Sequence, residues 1–281
     1  VPTYVNGNPS QDVQQILALM NGAGYDLLKE YDWQMLEKEY RFYTQFVNAT
    51  ATSVKGSYVL TNVSNTVGLT TQYSITGYNV NQDTYVSSVD SPTQVTMSQE
   101  AGGTGTNSVL FAQTIYNLPF DFETITDRTH WDKTKHWEML GPEDAQQWQW
   151  LKSGYISTGP RVRWRILGGT FQIWPPMNTQ EYLGFEYRSN AWAQSADGVA
   201  QQQLINDTDT SLFDTRIMVI YTKLKYFQIK GFDTSSLTQD YQRYLSIAKA
   251  NDKGTPNLSF NPNPSKVLIG WANIPDTGYG T

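Results

Sequence analysis

Residues 161–176 read RVRWRILGGTFQIWPP, and the rest of the chain is read outward from them. Gly168-Gly169 separates two runs that alternate apolar and polar residues. Two glycines suit a two-residue hairpin turn, in which both central residues take positive φ. Centring the turn there pairs Ile166 with Phe171 and Trp164 with Ile173 on one face. Arg165 then faces Gln172, and Arg163 faces Trp174, on the other. Two independent alternations agree on one register, which predicts a β-hairpin with an apolar side turned to a core. Downstream, EYLGFEYRS (181–189) predicts a third strand of the same meander, with Leu183, Phe185 and Tyr187 on one side.

Toward the N-terminus the composition changes. Residues 52–115 contain four charged side chains, Lys55, Asp83, Asp90 and Glu100, and are rich in Thr, Ser, Val and Gly. Short β-branched or alternating runs there are separated by turn residues, which predicts a small all-β module. Helical patterns flank it on both sides, so it reads as an insertion rather than a tail.

Three long helices are predicted around this β material. The first follows Ser10, with Val13, Leu17, Met20, Leu27 and Tyr31 at near-3.6 spacing. Gly22 and Gly24 weaken it by up to ~1 kcal/mol each. They either kink the helix or let a neighbouring helix come close. The second follows NDTDTS (206–211), capped by Asp209 or Ser211. Its apolar face is Phe213, Ile217, Ile220, Leu224 and Phe227, and Gly231 ends it. The third is capped by Asp233 or Thr234 and carries Leu237, Tyr241, Tyr244, Leu245 and Ala248. A shorter helix is marked by LGPEDAQQWQWLKSG (140–154), with Pro142 at its first position and Gly154 past its end. The fold class expected is α+β: an antiparallel helical bundle with a hairpin or meander sheet, over residues 1–51 and 116–251. A β module is inserted at 52–115. Residues 252–281, rich in Pro, Asn and Gly, form an extended C-terminal arm.

The chain has 281 residues and a formal net charge of −6, with 9 Trp, 18 Tyr and no Cys. Mean hydropathy is −0.50, and no apolar run approaches the ~20 residues of a membrane span. The absence of cysteine excludes disulfides, thiolate nucleophiles and cysteine-ligated zinc. An acidic chain is a poor tight binder of nucleic acid, because that affinity comes largely from Lys and Arg at phosphates. The chain opens on Val1, as expected of a processed or incomplete N-terminus.

Catalytic and metal signatures do not assemble in this order of residues. His130 and His136 with Asp132 lack a metal-binding spacing, and both histidines are expected to be partly exposed beside Trp131 and Trp137. A calcium loop at Asp207 and Asp209 would need Gly where Leu212 stands and Glu where Met218 stands. Asp121 with Glu123, or Glu143 with Asp144, could in principle serve glycosidic chemistry, but near neighbours in sequence do not make opposed carboxylates. The stripe Arg161, Arg163, Arg165 is explained by pairing with Glu186 or stacking on Trp174. No catalytic residue, metal or cofactor is expected.

Taken in order, several segments resemble the head-to-tail adaptor family of short-tailed bacteriophages, also called tail tubular protein A or head completion proteins. They are VPTYVNGNPSQDVQQILALMNGAGYDLLKEYDWQMLEKEY (1–40), LPFDFETITDRTHWD (118–132), LGPEDAQQWQWLKSG (140–154), ISTGPRVRWRILGGTFQIWPP (156–176), GFEYRSNAW (184–192) and DTDTSLFD (207–214). GYNVNQDTYVSSVDSPTQVTMSQEAGGTGT (77–106) separately resembles small β modules of phage tail and baseplate proteins, which compact adaptors lack. The resemblance implies a non-enzymatic virion protein at the portal vertex. Its copies would form a ring, typically dodecameric, below the portal protein and above a tail nozzle, tail tube or fibre protein. Genomic DNA would pass through without specific binding, and no membrane would be involved. It also implies that the arm grips the portal or a neighbouring copy through Val267, Leu268, Ile269, Trp271, Ile274 and Tyr279. Two other readings are a structural protein elsewhere in the tail or baseplate, and a glycan-binding tail component.

Overall fold

The computed structural model describes Tyr4, Gly7, Asn8 and residues 10–155 and 161–253. Four α-helices lie in that range: α1 (Gln11–Glu30), α2 (Ala145–Trp150), α3 (Thr215–Lys230) and α4 (Ser235–Lys253). Against them stand seventeen strands, many of them short.

The hairpin has the register its alternation dictates. Arg163 pairs with Trp174, Trp164 with Ile173, Arg165 with Gln172, Ile166 with Phe171 and Leu167 with Thr170. Gly168 and Gly169 supply φ of 57° and 73° in the turn. The third strand of this sheet, however, is Ile115–Asn117, on the far side of Thr170–Trp174. The expected third strand, Tyr182–Ser189, instead runs through a separate five-stranded sheet. It pairs with Glu37–Tyr43 along one edge and shares the other between Phe122–Ile125 and Trp131–Asp132. The two sheets face each other through aromatic rings. Trp164 stacks on Phe171 at 5.4 Å, and Phe171 on Phe185 at 4.9 Å. The hairpin's second face is also covered, since Trp174 packs with Trp148 and Leu151 from α2 and the turn after it. α2 begins later than its sequence suggests: Asp144 caps it by accepting from the Gln147 N–H at 2.7 Å, and Pro142 lies before the cap.

A second β body begins at Phe46, upstream of the composition shift at Thr52. Its six antiparallel strands run in the spatial order Phe46–Ser53, Gly105–Gln113, Tyr73–Gly77, Thr84–Ser91, Gln94–Met97 and Val59–Leu60. Thr52, in one outer strand, and Thr61, just after the other, exchange backbone hydrogen bonds of 2.8 and 2.9 Å, so the sheet all but closes into a barrel. Leu60, Ile75, Val86, Val95, Met97 and Phe111 fill it. Near-closure leaves little free strand edge for unwanted pairing.

The expected antiparallel helical bundle is not what the chain forms. α3 packs against α4 on one side and α1 on the other. The apolar stripes meet a non-helical aromatic layer: Trp33, Leu36, Trp192, Leu204 and Phe213 share a core with Leu27, Leu28, Ile217 and Leu245. Trp192 and Phe213 lie parallel at 6.3 Å. An apolar helical stripe demands burial but does not name its partner, and here the partner is loop aromatics. Gly24 serves this contact. A Cβ there would sit 2.3–2.4 Å from carbons of the fully buried Trp192 ring, so the glycine admits an indole rather than a helix.

One buried carboxylate ties the sandwich to the helical layer. Asp121 Oδ2 accepts from Lys38 Nζ at 2.7 Å and Ser189 Oγ at 2.6 Å, and Oδ1 accepts from Tyr187 OH at 2.9 Å. Its carbonyl accepts from the Asn190 N–H at 2.8 Å, two residues before Trp192. Burial alone would raise its pKa, but the bonds from Lys38, Ser189 and Tyr187 prevail and hold it below the ordinary carboxylate value.

Two expectations follow. Gly24→Ala should lower stability by about 1–3 kcal/mol through overpacking, despite alanine's helix preference, whereas Gly22→Ala, with open space beyond it, should stabilise by up to ~1 kcal/mol. Equal urea midpoints for the two variants would contradict the packing described. Asp121 has a depressed folded pKa, so its contribution is complete above about pH 4 and is withdrawn as the pH falls further. Asp121→Asn should cost about 3–5 kcal/mol at pH 7 and flatten the acid limb of a stability–pH curve below pH 4.

Candidate functional site

The residues the sequence proposes for docking, Val267, Leu268, Ile269, Trp271, Ile274 and Tyr279, lie outside the described residues. What the structure does show is how the chain reaches them. α4 continues through Lys253, and its last turn is fastened to the body. Asp252 accepts from the backbone N–H groups of Gln34 (2.6 Å) and Met35 (3.2 Å). Lys249 bridges to Glu30 at 3.2 Å. The ammonium groups of Lys249 and Lys253 sit over the Tyr31 ring at 5.3 and 4.6 Å. The end of α4 at Lys253 is therefore held against the body.

Two apolar recesses open on this helical layer. One, of about 610 Å³, is walled by Trp33, Phe213, Ile217, Tyr244, Ile247 and Ala248, with Asn251 and Asp252 of the last turn of α4 also lining it. The other, of about 490 Å³, runs between α1 and α3. Ile16, Met20, Leu204, Met218, Val219 and Tyr226 line it, and Lys223 stands at its edge. Ile16 is 43% exposed and Val219 60%.

Charge is unevenly placed. α3 carries Arg216, Lys223, Lys225 and Lys230 and no acidic residue. Lys225 pairs with Asp26. Among the described residues Arg216, Lys223 and Lys230 have no carboxylate partner and instead lie over the rings of Tyr244, Phe227 and Tyr226.

The other sequence candidates are placed as follows. Asp121 and Glu123 do not oppose each other across a cleft; Glu123 is bound to Lys29 and lies 3.8 Å from Arg188. Glu143 is nearly buried and bridges to Arg163 at 2.6 Å, so Glu143, not Glu186, is the partner of that arginine. Glu39 is the residue directly opposite Glu186 in the sheet. Arg41 and Lys133 hydrogen-bond Glu39 and hold its pKa down to about 2, which relieves that like-charge pairing. His130, expected to be partly exposed, is buried edge-on to Trp164 at 4.8 Å, and burial pushes its pKa down. Among the described residues no group of His, Asp and Glu is placed to hold a metal ion. Asp209 does not cap α3. It closes a turn by accepting from the Ile205 and Asn206 N–H groups, both at 2.7 Å, while Asp214 caps the helix.

The α1–α3 groove was not anticipated from the sequence. Val219 and Met218 are adjacent and both apolar, and periodicity does not say that Met218 is buried and Val219 is not. The basic run of α3, by contrast, is open to view in TRIMVIYTKLKYFQIK. Comparison with protein-family models and with curated proteins gives no match.

Removing the Asp252 acceptor tests whether the departure point is fixed. Asp252→Ala should cost about 1 kcal/mol per lost hydrogen bond. It should also speed amide hydrogen exchange at Gln34 and Met35 while leaving the barrel amides unchanged.

Proposed function

We propose that this chain is a structural head-to-tail adaptor of a bacteriophage virion. Its copies assemble as a ring beneath the portal, extend the DNA channel and attach the tail, without turning over a substrate. The reading rests on the ordered sequence resemblance. The observation that supports it in the structure is the fastened end of α4, whose Asn251 and Asp252 line an apolar recess and which precedes the 28 residues 254–281 in sequence. A tether that starts at a fixed point wastes less conformational freedom on docking than one that starts from a frayed helix.

Polar placement is consistent with mechanical work. The short acids serve as backbone acceptors at helix starts and turns, as Asp144, Asp209, Asp214 and Asp252 do. Acids near the core pair with cations, as Asp121, Glu143 and Glu181 do. Burying a large apolar side chain of the arm yields about 1.5–3 kcal/mol. Ordering each backbone residue takes back about 1–2 kcal/mol. A single arm is therefore weak, and a closed ring offers many arms to one partner at once. The near-closed barrel, with Tyr58, Tyr78 and Val67 exposed, gives the ring a second contact surface for a tail component.

The deletion that isolates the arm begins at 254, so that Asp252 stays in place. This variant should keep its unfolding temperature and lose most of its co-sedimentation with portal rings, where the full chain is retained as a ring. Undiminished attachment of the truncated chain would remove the docking role. A full-length chain that stays monomeric and ignores portal rings would sink the adaptor reading itself.

A further inference from the structure

We infer that the open edge of the strand Glu37–Tyr43 joins two copies of this chain, edge to edge and antiparallel, about a twofold axis at Tyr40. A twofold contact closes on itself and builds no ring. The pair is therefore a state of the free chain and is independent of the adaptor reading.

The edge itself is unpaired. Glu37–Tyr43 ends the five-stranded sheet and pairs with Tyr182–Ser189 alone. The carbonyls of Tyr182 and Glu186 accept from the N–H groups of Lys133 (2.8 Å) and Thr126 (2.9 Å), on the far side of that partner strand. On the near side, the Thr44 N–H donates to the Glu181 carbonyl at 2.9 Å, in the same register. Backbone groups alternate in direction along a strand, so Lys38, Tyr40 and Phe42 bond inward. The N–H and C=O of Glu39 and Arg41 then point outward, with no partner among the described residues. All seven residues of the strand are at least partly exposed. The barrel edge is closed by Thr52 and Thr61, and Arg163–Leu167 is covered at its start by Leu140. An open edge of this kind is a template for another strand.

What fits the template is the same strand reversed. Antiparallel pairing centred on Tyr40 sets Glu39 opposite the other copy's Arg41, twice, and Glu37 opposite Tyr43. A slip of two residues one way sets Glu39 against Glu39, and the other way Arg41 against Arg41, so charge selects one register. In that register the like charges lie on diagonals, farther apart than the opposite ones. Within one copy Glu39 is already held by Arg41 and Lys133, and both cations stay beside it in the pair. Behind them, Glu186 lies across from Glu39, and Arg188 is held by Asp32. The core side of the edge is also unsealed, since Tyr40 and Phe42 are only partly buried at the margin of the aromatic core. Pairing sets Tyr40 against Tyr40 and each Phe42 against the stem of the other Lys38, whose ammonium is taken by Asp121.

Charge exchange tests the pair in full-length chains. Sedimentation equilibrium of the wild type should show a reversible monomer–dimer equilibrium. Glu39→Arg and Arg41→Glu each set like charges against each other at both symmetric positions, and each alone should weaken the dimer about tenfold or more. Mixing the two variants in equal amounts should restore it, because each then meets the opposite charge on the other; a misfolded chain could not be rescued in this way. In the wild type, exchange at the Glu39 and Arg41 amides should slow as concentration rises, while the inward-bonded Tyr40 amide stays unchanged. A wild-type chain that is monomeric at every concentration would overturn the proposal. So would a dimer that survives both single variants, or a mixture no better than its components. A higher closed oligomer in the wild type and both variants alike would discard the strand pair and keep the adaptor. A charge-dependent dimer that ignores portal rings would keep the strand pair and discard the adaptor.

Discussion

The Asp121 carboxylate holds together parts of the chain that have no sequence reason to meet. Its donors come from Lys38 on one strand and from Tyr187 and Ser189 on its partner, and its own carbonyl fixes Asn190. Asn190 leads directly to Ala191 and Trp192, and Trp192 is the indole around which α1 and α3 gather. Burying a carboxylate is costly unless it is paired and hydrogen-bonded, and here three side-chain donors, one of them a cation, serve its two oxygens. Loosening this centre would leave the angle between the sheets and the helices to the more exposed pairs Lys29–Glu123 and Arg188–Asp32. The placement of the helical layer therefore depends in part on a residue far from any exposed recess.

The molecule uses short acids and long cations differently. Aspartates terminate things: Asp144 and Asp214 start helices, Asp209 closes a turn, and Asp252 pins α4 to the turn at Gln34. Lysines and arginines divide between acids, as Lys38 and Arg163 do, and aromatic rings, as Arg216, Lys223 and Lys230 do along α3. A cation over a ring keeps its charge exposed while its stem covers apolar surface.

What could be read from the sequence was whatever short-range rules determine. The hairpin register needed only Gly168-Gly169 and the alternation around it. The αL glycine Gly231 closes α3 where the apolar period stops. What could not be read was the choice among distant partners. Tyr182–Ser189 alternates as well as any strand, yet its pleat does not say whether it joins the hairpin or Glu37–Tyr43, some 145 residues upstream; the aromatic contact between Phe171 and Phe185 is met face to face rather than edge to edge. The helical stripes likewise signalled burial without naming Trp33, Trp192 and Phe213 as what they bury against, and a bundle was the simplest wrong completion. Of the candidate site, the cationic run on α3 lies open in the sequence. The groove between α1 and α3 depends on which side of α3 is left uncovered, and only packing decides that.

Uncovered apolar surface on a folded domain is tolerated in proportion to what it later binds. Leaving Ile16 and Val219 open weakens the monomer slightly and keeps the same hydrophobic free energy available for association. In the ring proposed above, repetition would turn individually weak contacts into a durable whole, because release of one contact would not release the others. The near-closed barrel is the counterpart of this arrangement. By pairing Thr52 with Thr61 it suppresses edge-to-edge adhesion elsewhere on the molecule. In the proposed assembly the barrel would then offer a partner the exposed side chains of Tyr58, Val67 and Tyr78 rather than a strand edge.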